Sequence, residues 1–598
     1  MPDKTIRIGG ASGAWGDSPS GVPQLLAAGV DYLMMDYLAE VTMSLLARAR
    51  LKDPGAGFPP DFVTYLKTAL PDIARRGVRV VSNAGGVNPL ACKSAIEATI
   101  AELGLPLRVA VVTGDDLMAM LADLRASGVR EAATGAPLPA KLLTANAYLG
   151  ALPIKAALDA GADIVVTGRC VDSALALGIL MHEFGWANDD YDRLAAGSLV
   201  GHLLECGPQV TGGTFTDWDQ VPDWHNIGYP IAECAVDGSF VISKPDGSGG
   251  LVVPATVAEQ TLYEVGDPAA YLLPDVTADF SLVRLTQIAP DKVRVQNVRG
   301  TAPTSSYKVS ATYQDGLRAT ATVSIVGRDA TAKAERTADM LLRRARQTFA
   351  ARGLPDFSAT HLEVLGAESS YGAQSRNRAV REVLLRLVVE HDSRDAIEIF
   401  AREVGSVGLT CAPGTTGIFS GRPKAVPVTR LFTFFIEKRK LPPAQVQIGL
   451  SSPIEVEVPS AGSPTPKRAA IRSATGSIPD GPTIAVTLDR LAYARSGDKG
   501  NSANIAIIAR HPKYVELLRR EVTAEKVLAQ LGHLAEGPAE RFEAPGLSAF
   551  NFVISNALGG GGMASMRIDP QGKAYGQMTL EMEIAVPEAW VRELAPES

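Results

Sequence analysis

Leu158-Asp159-Ala160-Gly161-Ala162-Asp163-Ile164-Val165-Val166-Thr167-Gly168-Arg169-Cys170-Val171-Asp172-Ser173 carries the pattern that decides the fold. A helix ends at Gly161, since glycine is favoured just past a helix. A short apolar, β-branched run follows at Ile164–Val166, as in a strand buried on both faces. The run stops at a polar turn, and a new helix begins. Leu26-Ala27-Ala28-Gly29-Val30-Asp31 echoes the first half and sets Glu40 opposite Asp172, early in the following helix. Similar runs occur at Ile6–Ile8, Tyr32–Met35, Val78–Val81, Leu107–Val112 and Lys141–Thr144. Alternating strand and helix predict an α/β layered domain with a mostly parallel sheet over residues 1–205.

Further along, the pattern changes. Residues 206–445 read as a β-rich and α/β continuation. Lys308–Tyr313 and Ala319–Ile325 alternate like two antiparallel strands, and a helix is expected near Ala330–Ala350. Residues 446–483 are rich in Pro, Ser, Thr and Gly and are expected to be a linker. Residues 484–598 read as a small α+β sandwich. Its strands are expected at Ile484–Ala492, Asn504–Ala509, Phe550–Ser555 and Gln577–Val586, with a helix at Pro512–Gln530.

The 598 residues carry a net charge of −7, with 46% hydrophobic and 21% charged residues. These are ordinary globular values. No basic run suggests a nucleic-acid partner. The five cysteines are scattered, without CxxC or His/Cys spacing, so neither a metal site nor a disulfide framework is expected. No leader pattern or membrane-length apolar stretch stands out, and a cytoplasmic protein is expected.

Ligands of open α/β sheets sit at the carboxyl ends of the strands. Those ends here bring Gly10, Ser12 and Gly13, then Asp36 and Glu40, then Asn83, Gly85 and Gly86, then Asp115, Asn146, Arg169 and Asp172. The glycine-rich turns could offer N–H groups to phosphate. The spacing of Gly9, Gly10, Gly13 and Gly16 is not GxGxxG, which argues against nicotinamide binding. Arg169 could grip an anion while Asp172 acts as a base, or the two could simply pair at a helix start. Glu40 carries the same ambiguity. His202, Glu205 and Cys206 lie close together, and Cys206 reads more readily as an inert buried thiol than as a nucleophile. In the last domain Arg495, Asp498, Lys499, Asn501 and Asn504 crowd one stretch expected to be a turn, and Gly559–Gly562 form another. Arg495, Asn501, Asn504, Gly560 and Gly561 are read as substrate contacts, with Asp172, Asp498, Lys499 and Glu40 as acid–base groups.

These same stretches resemble a known family. Ile8-Gly9-Gly10-Ala11-Ser12-Gly13, Asp36-Tyr37-Leu38-Ala39-Glu40, Asn83-Ala84-Gly85-Gly86, Gly168-Arg169-Cys170-Val171-Asp172 and Leu204-Glu205-Cys206-Gly207 look like the AtuA domain of acyclic-terpene-utilisation proteins. Ala492-Tyr493-Ala494-Arg495-Ser496-Gly497-Asp498-Lys499-Gly500-Asn501-Ser502-Ala503-Asn504 looks like the ferredoxin-fold domain that accompanies it. The resemblance implies a role in breaking down branched acyl-CoA compounds.

The expected function is a hydratase or lyase acting on such a thioester by general acid–base chemistry, without a cofactor other than the CoA of the substrate. The alternatives are a non-catalytic assembly subunit of an acyl-CoA pathway and a nicotinamide-dependent enzyme. A homo-oligomer without membrane or nucleic-acid partners is expected.

Overall fold

The computed structural model describes residues 4–418, 420–459 and 477–594. Five parallel strands form its centre: β1 (Thr5–Ser12), β2 (Tyr32–Met35), β3 (Arg79–Ser82), β4 (Val109–Thr113) and, after β5 (Thr144–Ala147), β6 (Ile164–Thr167). Their order is β1-β2-β3-β6-β4. Each core strand is apolar on both faces, because helices cover both. Gly21–Ala28, Pro60–Arg76 and Pro89–Leu103 pack on one side, and Leu152–Asp159, Ala174–Phe184 and Tyr191–Leu204 on the other. This is the parallel α/β layer expected from the βα repeats.

The sheet does not end where the composition changes. Ile231–Ala235, Phe240–Ser243, Lys292–Gln296 and Arg284–Ala289 continue it antiparallel beyond β1, and Ala444–Ile448 and Ile454–Val456 continue it beyond β4. An 11-stranded mixed sheet results. The boundary expected at 205 therefore falls inside one sheet, and the linker expected at 446–483 begins with two of its strands. Residues 460–476 of that linker lie outside the described residues. β5 also departs from expectation. It leaves the parallel sheet and pairs antiparallel with a 21-residue strand, Ser306–Val326. That single strand replaces the two expected at 308–313 and 319–325. Its first half pairs with β5 and Val426–Glu437, and its second half with Glu382–His391 and Thr415–Ile418. The helix expected near Ala330–Ala350 is present as Ala330–Arg352 and packs on the second half.

In the C-terminal domain, four antiparallel strands lie in the order Ala492–Lys499, Ser502–Ala509, Ala549–Ile554, Ala539–Ala544. The stretch expected to be a turn at 493–504 is instead most of a hairpin, with Gly500 and Asn501 between its strands. Ala539–Ala544 was not foreseen. The segment expected to be a last strand from Gln577 starts as the helix Tyr575–Leu580, and only Glu583–Pro587 is extended, pairing with Thr483–Thr487. The helix expected at Pro512–Gln530 breaks before Thr523, whose side chain accepts from the Lys526 N–H and starts Ala524–Leu531. One sheet face, with Ile505, Ile507 and Phe552, makes the domain's own core. The opposite face sends Ala506, Ile508 and Ala549 into the core of the large sheet. The domain is thus seated on the rest of the chain by buried apolar surface. No helix among the described residues is long and apolar enough to cross a membrane.

Candidate active site

The turns after β2, β3 and β6 meet at the carboxyl edge. Asn83 follows β3 and donates through Nδ2 to Asp36 Oδ1 at 2.7 Å, while its Oδ1 accepts from the Tyr37 N–H at 2.8 Å. Arg169 follows β6 and is 4% exposed. Its guanidinium donates to Asp172 Oδ1 at 2.6 Å and to the Leu38 carbonyl at 3.0 Å, and lies 4.3 Å from the Tyr148 ring centre. Tyr148 donates to Glu40 Oε1 at 2.5 Å, and Lys308, from the long strand, stands 3.7 Å from the same oxygen. Although β5 lies in another sheet, a bridge between Leu149 and Cys170 returns the chain after it to this edge. Glu205 follows the helix Tyr191–Leu204 and bonds His202 Nδ1 at 2.9 Å. Carboxylate oxygens of Asp36, Asp172 and Glu205 all lie within 4.8 Å of one another.

Three carboxyls this close cannot all stay charged without compensation. A cation or a proton can supply it, and the spacing suits either. Arg169 and His202 already face two of the three. Burial raises Asp36 well above the usual carboxylate range, and the charge of Asp172 adds to this. Burial also raises Asp172 against the pull of Arg169, and brings Glu205 up to about 7 against the pull of His202. Glu205 in turn raises His202 against burial. Glu40 goes the other way. Burial would raise it, but Lys308, Arg169 and the Tyr148 hydroxyl outweigh burial and hold it at about 2. Solvent still reaches the group, since the side chains of Asp172, Glu40 and Lys308 keep 28%, 29% and 38% of their surface. Polar groups that are both crowded by protein and wetted define a cleft.

The C-terminal domain supplies the facing wall. Lys499 lies 4.7 Å from the Tyr271 ring centre and donates to the Glu264 carbonyl at 3.1 Å. Its side chain is exposed, yet crowding by the surrounding protein and the nearby Lys308 bring it down to about 8. Asp498 pairs with Lys573 at 3.3 Å, and Lys573 also pairs with Glu264 at 3.2 Å. Burial and Glu264 raise Asp498 to about 6. The turn Gly559–Gly562 packs here too. Asn501 accepts from the Gly560 N–H at 2.8 Å, and a Cβ on Gly561 would sit 2.7 Å from the Gly500 carbonyl.

Several residues read as ligand contacts are instead committed to the chain itself. Gly10 N–H donates to Pro230 O and Gly13 N–H to Asp17, while Ser12 donates to the carbonyls of Asp36 and Ala14. Gly85 and Gly86 N–H groups reach Thr167 O and Asn83 O. A Cβ on Gly10 would meet Leu204 O at 2.6 Å, and one on Gly13 would meet Cys206 C at 2.7 Å. These glycines make room for the 204–206 backbone rather than for phosphate, and so set Glu205 at the edge. Arg495 is buried, donates to Thr214 and Gln209, and stacks on Tyr263 at 4.5 Å. Asn504 accepts from Glu264 N–H at 2.9 Å and donates to Leu262 O and Asn551 Oδ1. Both residues clamp the domains together. Cys206 is no thiolate, because burial, Glu205 and Glu264 push its thiol well up.

Sequence reasoning missed Lys308, Glu264, Tyr271 and Lys573, which come from segments with no motif of their own. A separate small, partly open pocket, lined by Leu152, Met181, Tyr191, Pro274 and Asp275 among others, shares no residue with the cleft.

The two-domain layout agrees with comparison to known proteins. The profile described as "Acyclic terpene utilisation family protein AtuA" matches residues 6–447, about three-quarters of the chain. The chain belongs to the AtuA family. The profile "AtuA ferredoxin-like domain" matches residues 486–585 and covers the docked C-terminal sheet. Among curated proteins nothing matches the chain. In AtuA-family terms the cleft lies between the two matched regions: Asp36, Asp172 and Glu205 belong to the first, and Asp498 and Lys499 to the second.

Proposed function

We propose that this AtuA-family chain is an enzyme of acyclic-terpenoid breakdown, acting on a branched acyl-CoA thioester as a hydratase or lyase by general acid–base chemistry. The observation that carries the reading is the set of oppositely tuned groups in one cleft. Glu205 at about 7 can give or take a proton near neutrality, whereas Glu40 at about 2 stays ionised. Groups pushed apart in this way serve as acid or base on one hand and as fixed charge on the other. Arg169, ion-paired to Asp172, and His202, bonded to Glu205, hold these two carboxyls in position. Such chemistry asks for no redox cofactor. The terpenoid class is taken from the family description, and the thioester is our addition to it.

Incubating the protein with a panel of branched enoyl- and hydroxyacyl-CoA thioesters tests the reading. A product shifted by the mass of water, or cleaved into two acyl fragments, is expected. Glu205→Gln should slow its formation by about 10²-fold or more. An unchanged panel overturns the reading and leaves an assembly role as the better account. Full activity in the Glu205→Gln variant removes Glu205 from the chemistry.

A further inference from the structure

The donors that face the cleft are committed to the protein, with one exception. Arg169 gives to Asp172 and the Leu38 carbonyl, Tyr148 gives to Glu40, and Lys573 pairs with Glu264 and Asp498. Lys308 stands beside Glu40, and Lys499 gives to the Glu264 carbonyl. Tyr271 is the exception. Among the described residues its hydroxyl has no hydrogen-bond partner, and its oxygen is not sealed from solvent. The half-buried ring is held by three neighbours. Lys499 Nζ lies 4.7 Å from the ring centre, and the rings of Phe280 and His202 stand 5.7 Å and 5.9 Å away. Its backbone pairs with Ala278 in a short antiparallel ladder. His202 in turn bonds Glu205 at 2.9 Å, so the phenol and this carboxyl flank the same imidazole. Polar groups in crowded surroundings ordinarily find a partner, and one left over calls for an explanation.

We propose that the Tyr271 hydroxyl is a catalytic donor: it gives its hydrogen bond to the carbonyl oxygen of the bound substrate and steadies the negative charge that gathers there during reaction. This rests on the acid–base reading of the cleft, to which it adds the group that activates the carbonyl. A fixed neutral donor suits an oxygen that is uncharged on binding and turns negative only in the transition state. The phenol keeps its proton in this role, since burial and the charges of Glu205, Asp172 and Glu264 hold it well above the ordinary tyrosine range. In a β-hydroxyacyl thioester, Glu205 takes the α-proton. The C–H electron pair becomes the C=C bond of an enolate, and the C=O pair moves onto oxygen, where the Tyr271 O–H meets it. The oxygen pair then returns to re-form C=O, the enolate pair becomes the Cα=Cβ bond, and the β-C–O bond breaks. The departing hydroxide takes the proton that Glu205 had accepted and leaves as water. Hydration runs the same steps in reverse.

Calorimetric titration of the full chain with two ligands tests it. One is isovaleryl-CoA. The other is the thioether S-(3-methylbutyl)-CoA, which carries the same chain with a methylene in place of the carbonyl. Neither can be hydrated or dehydrated. Tyr271→Phe removes the hydroxyl and keeps the ring. It should weaken isovaleryl-CoA about fivefold and the thioether by less than about twofold. The melting temperature should not fall, because the lost hydroxyl has no partner in the protein. Where the thioester panel yields product, kcat should drop about 10²-fold in the variant, with a far smaller change in KM. Equal affinity in wild type and variant, equal weakening of both ligands, or binding of neither ligand overturns the proposal. The titration needs no turnover. Product from the panel without a carbonyl-dependent loss therefore leaves the acid–base reading standing, and a carbonyl-dependent loss with an empty panel leaves Tyr271 as the carbonyl donor of a different reaction.

Discussion

Replacing Arg169 with methionine tests the electrostatic frame of the cleft directly. The guanidinium is 4% exposed and is the only cation ion-paired to Asp172 among the described residues. Removing one member of a buried ion pair costs about 3–5 kcal/mol, because the remaining charge is left uncompensated. The exposed pair Arg75–Asp72 offers a contrast, since solvent screens both of its charges. In Arg169→Met the Asp172 carboxylate would face Asp36 and Glu205, with oxygens within 4.8 Å and its own ion-pair partner gone. Its ordinary response is to bind a proton. The folded-state pKa of these carboxyls already lies above the unfolded value, and loss of Arg169 raises that of Asp172 further. A carboxyl raised on folding makes the native state bind more protons than the unfolded state, so stability falls as pH rises through this range. The destabilisation should therefore be small near pH ~5 and largest near pH ~8. At about 2–4 °C per kcal/mol, the value for domains of roughly 150–250 residues and an upper bound for this larger one, up to roughly 6–20 °C should be lost from the melting transition at the upper pH. Scanning calorimetry at both pH values measures it. Adding Asp172→Asn should recover part of the loss by removing the stranded charge. An equal deficit at both pH values, or none, would refute the argument.

Three further outcomes follow from the geometry. Gly10→Ala places a methyl 2.6 Å from the Leu204 carbonyl, a backbone atom that cannot swing away; about 1–3 kcal/mol should be lost in chemical denaturation, and the pH profile of Glu205-dependent activity should change with it. Asn504→Ala strands the Glu264 N–H and the Leu262 carbonyl at the domain junction; about 1–3 kcal/mol should be lost, and limited proteolysis should release the C-terminal domain sooner. Cys206 should resist iodoacetamide in the native protein near pH ~8 and react only after unfolding, as counted by intact mass.

The βα turns announced most of one wall of the cleft. Asp36, Asn83, Arg169 and Asp172 follow strands of a parallel sheet, and topology obliges such ends to converge. The opposite wall was only half legible. Asp498 and Lys499 stood out as a polar cluster, but Lys308, Glu264 and Tyr271 became neighbours only when the long strand and the 262–266 segment packed against that edge. Periodicity carries no information on pairing between segments more than a hundred residues apart. The glycines misled for a related reason. A missing side chain marks a close approach, but the sequence does not say whether the approaching group is a ligand or the chain's own backbone, and at Gly10 and Gly13 it is Leu204 and Cys206. Gln314-Asp315-Gly316, which separates the two strands expected, lies inside the one long strand, at a bulge against Val426–Glu437. β5 was counted in the parallel sheet because an apolar run does not reveal its partners.

That long strand also sets a limit on how the protein can diverge. Lys308 faces the cleft from one half, and Arg318 on the other half donates to the carbonyls of Ala564 and Ser565, just past the glycine turn beside Asp498. Ten positions of extended chain, roughly 30 Å, separate the two. The strand is thus a ruler that indexes one wall of the cleft and the seat of the smaller domain on one scale. Losing a single residue between them would turn every later side chain to the opposite face. Descendants of this chain can change the letters along that interval freely at its solvent-facing positions, but they cannot change the count.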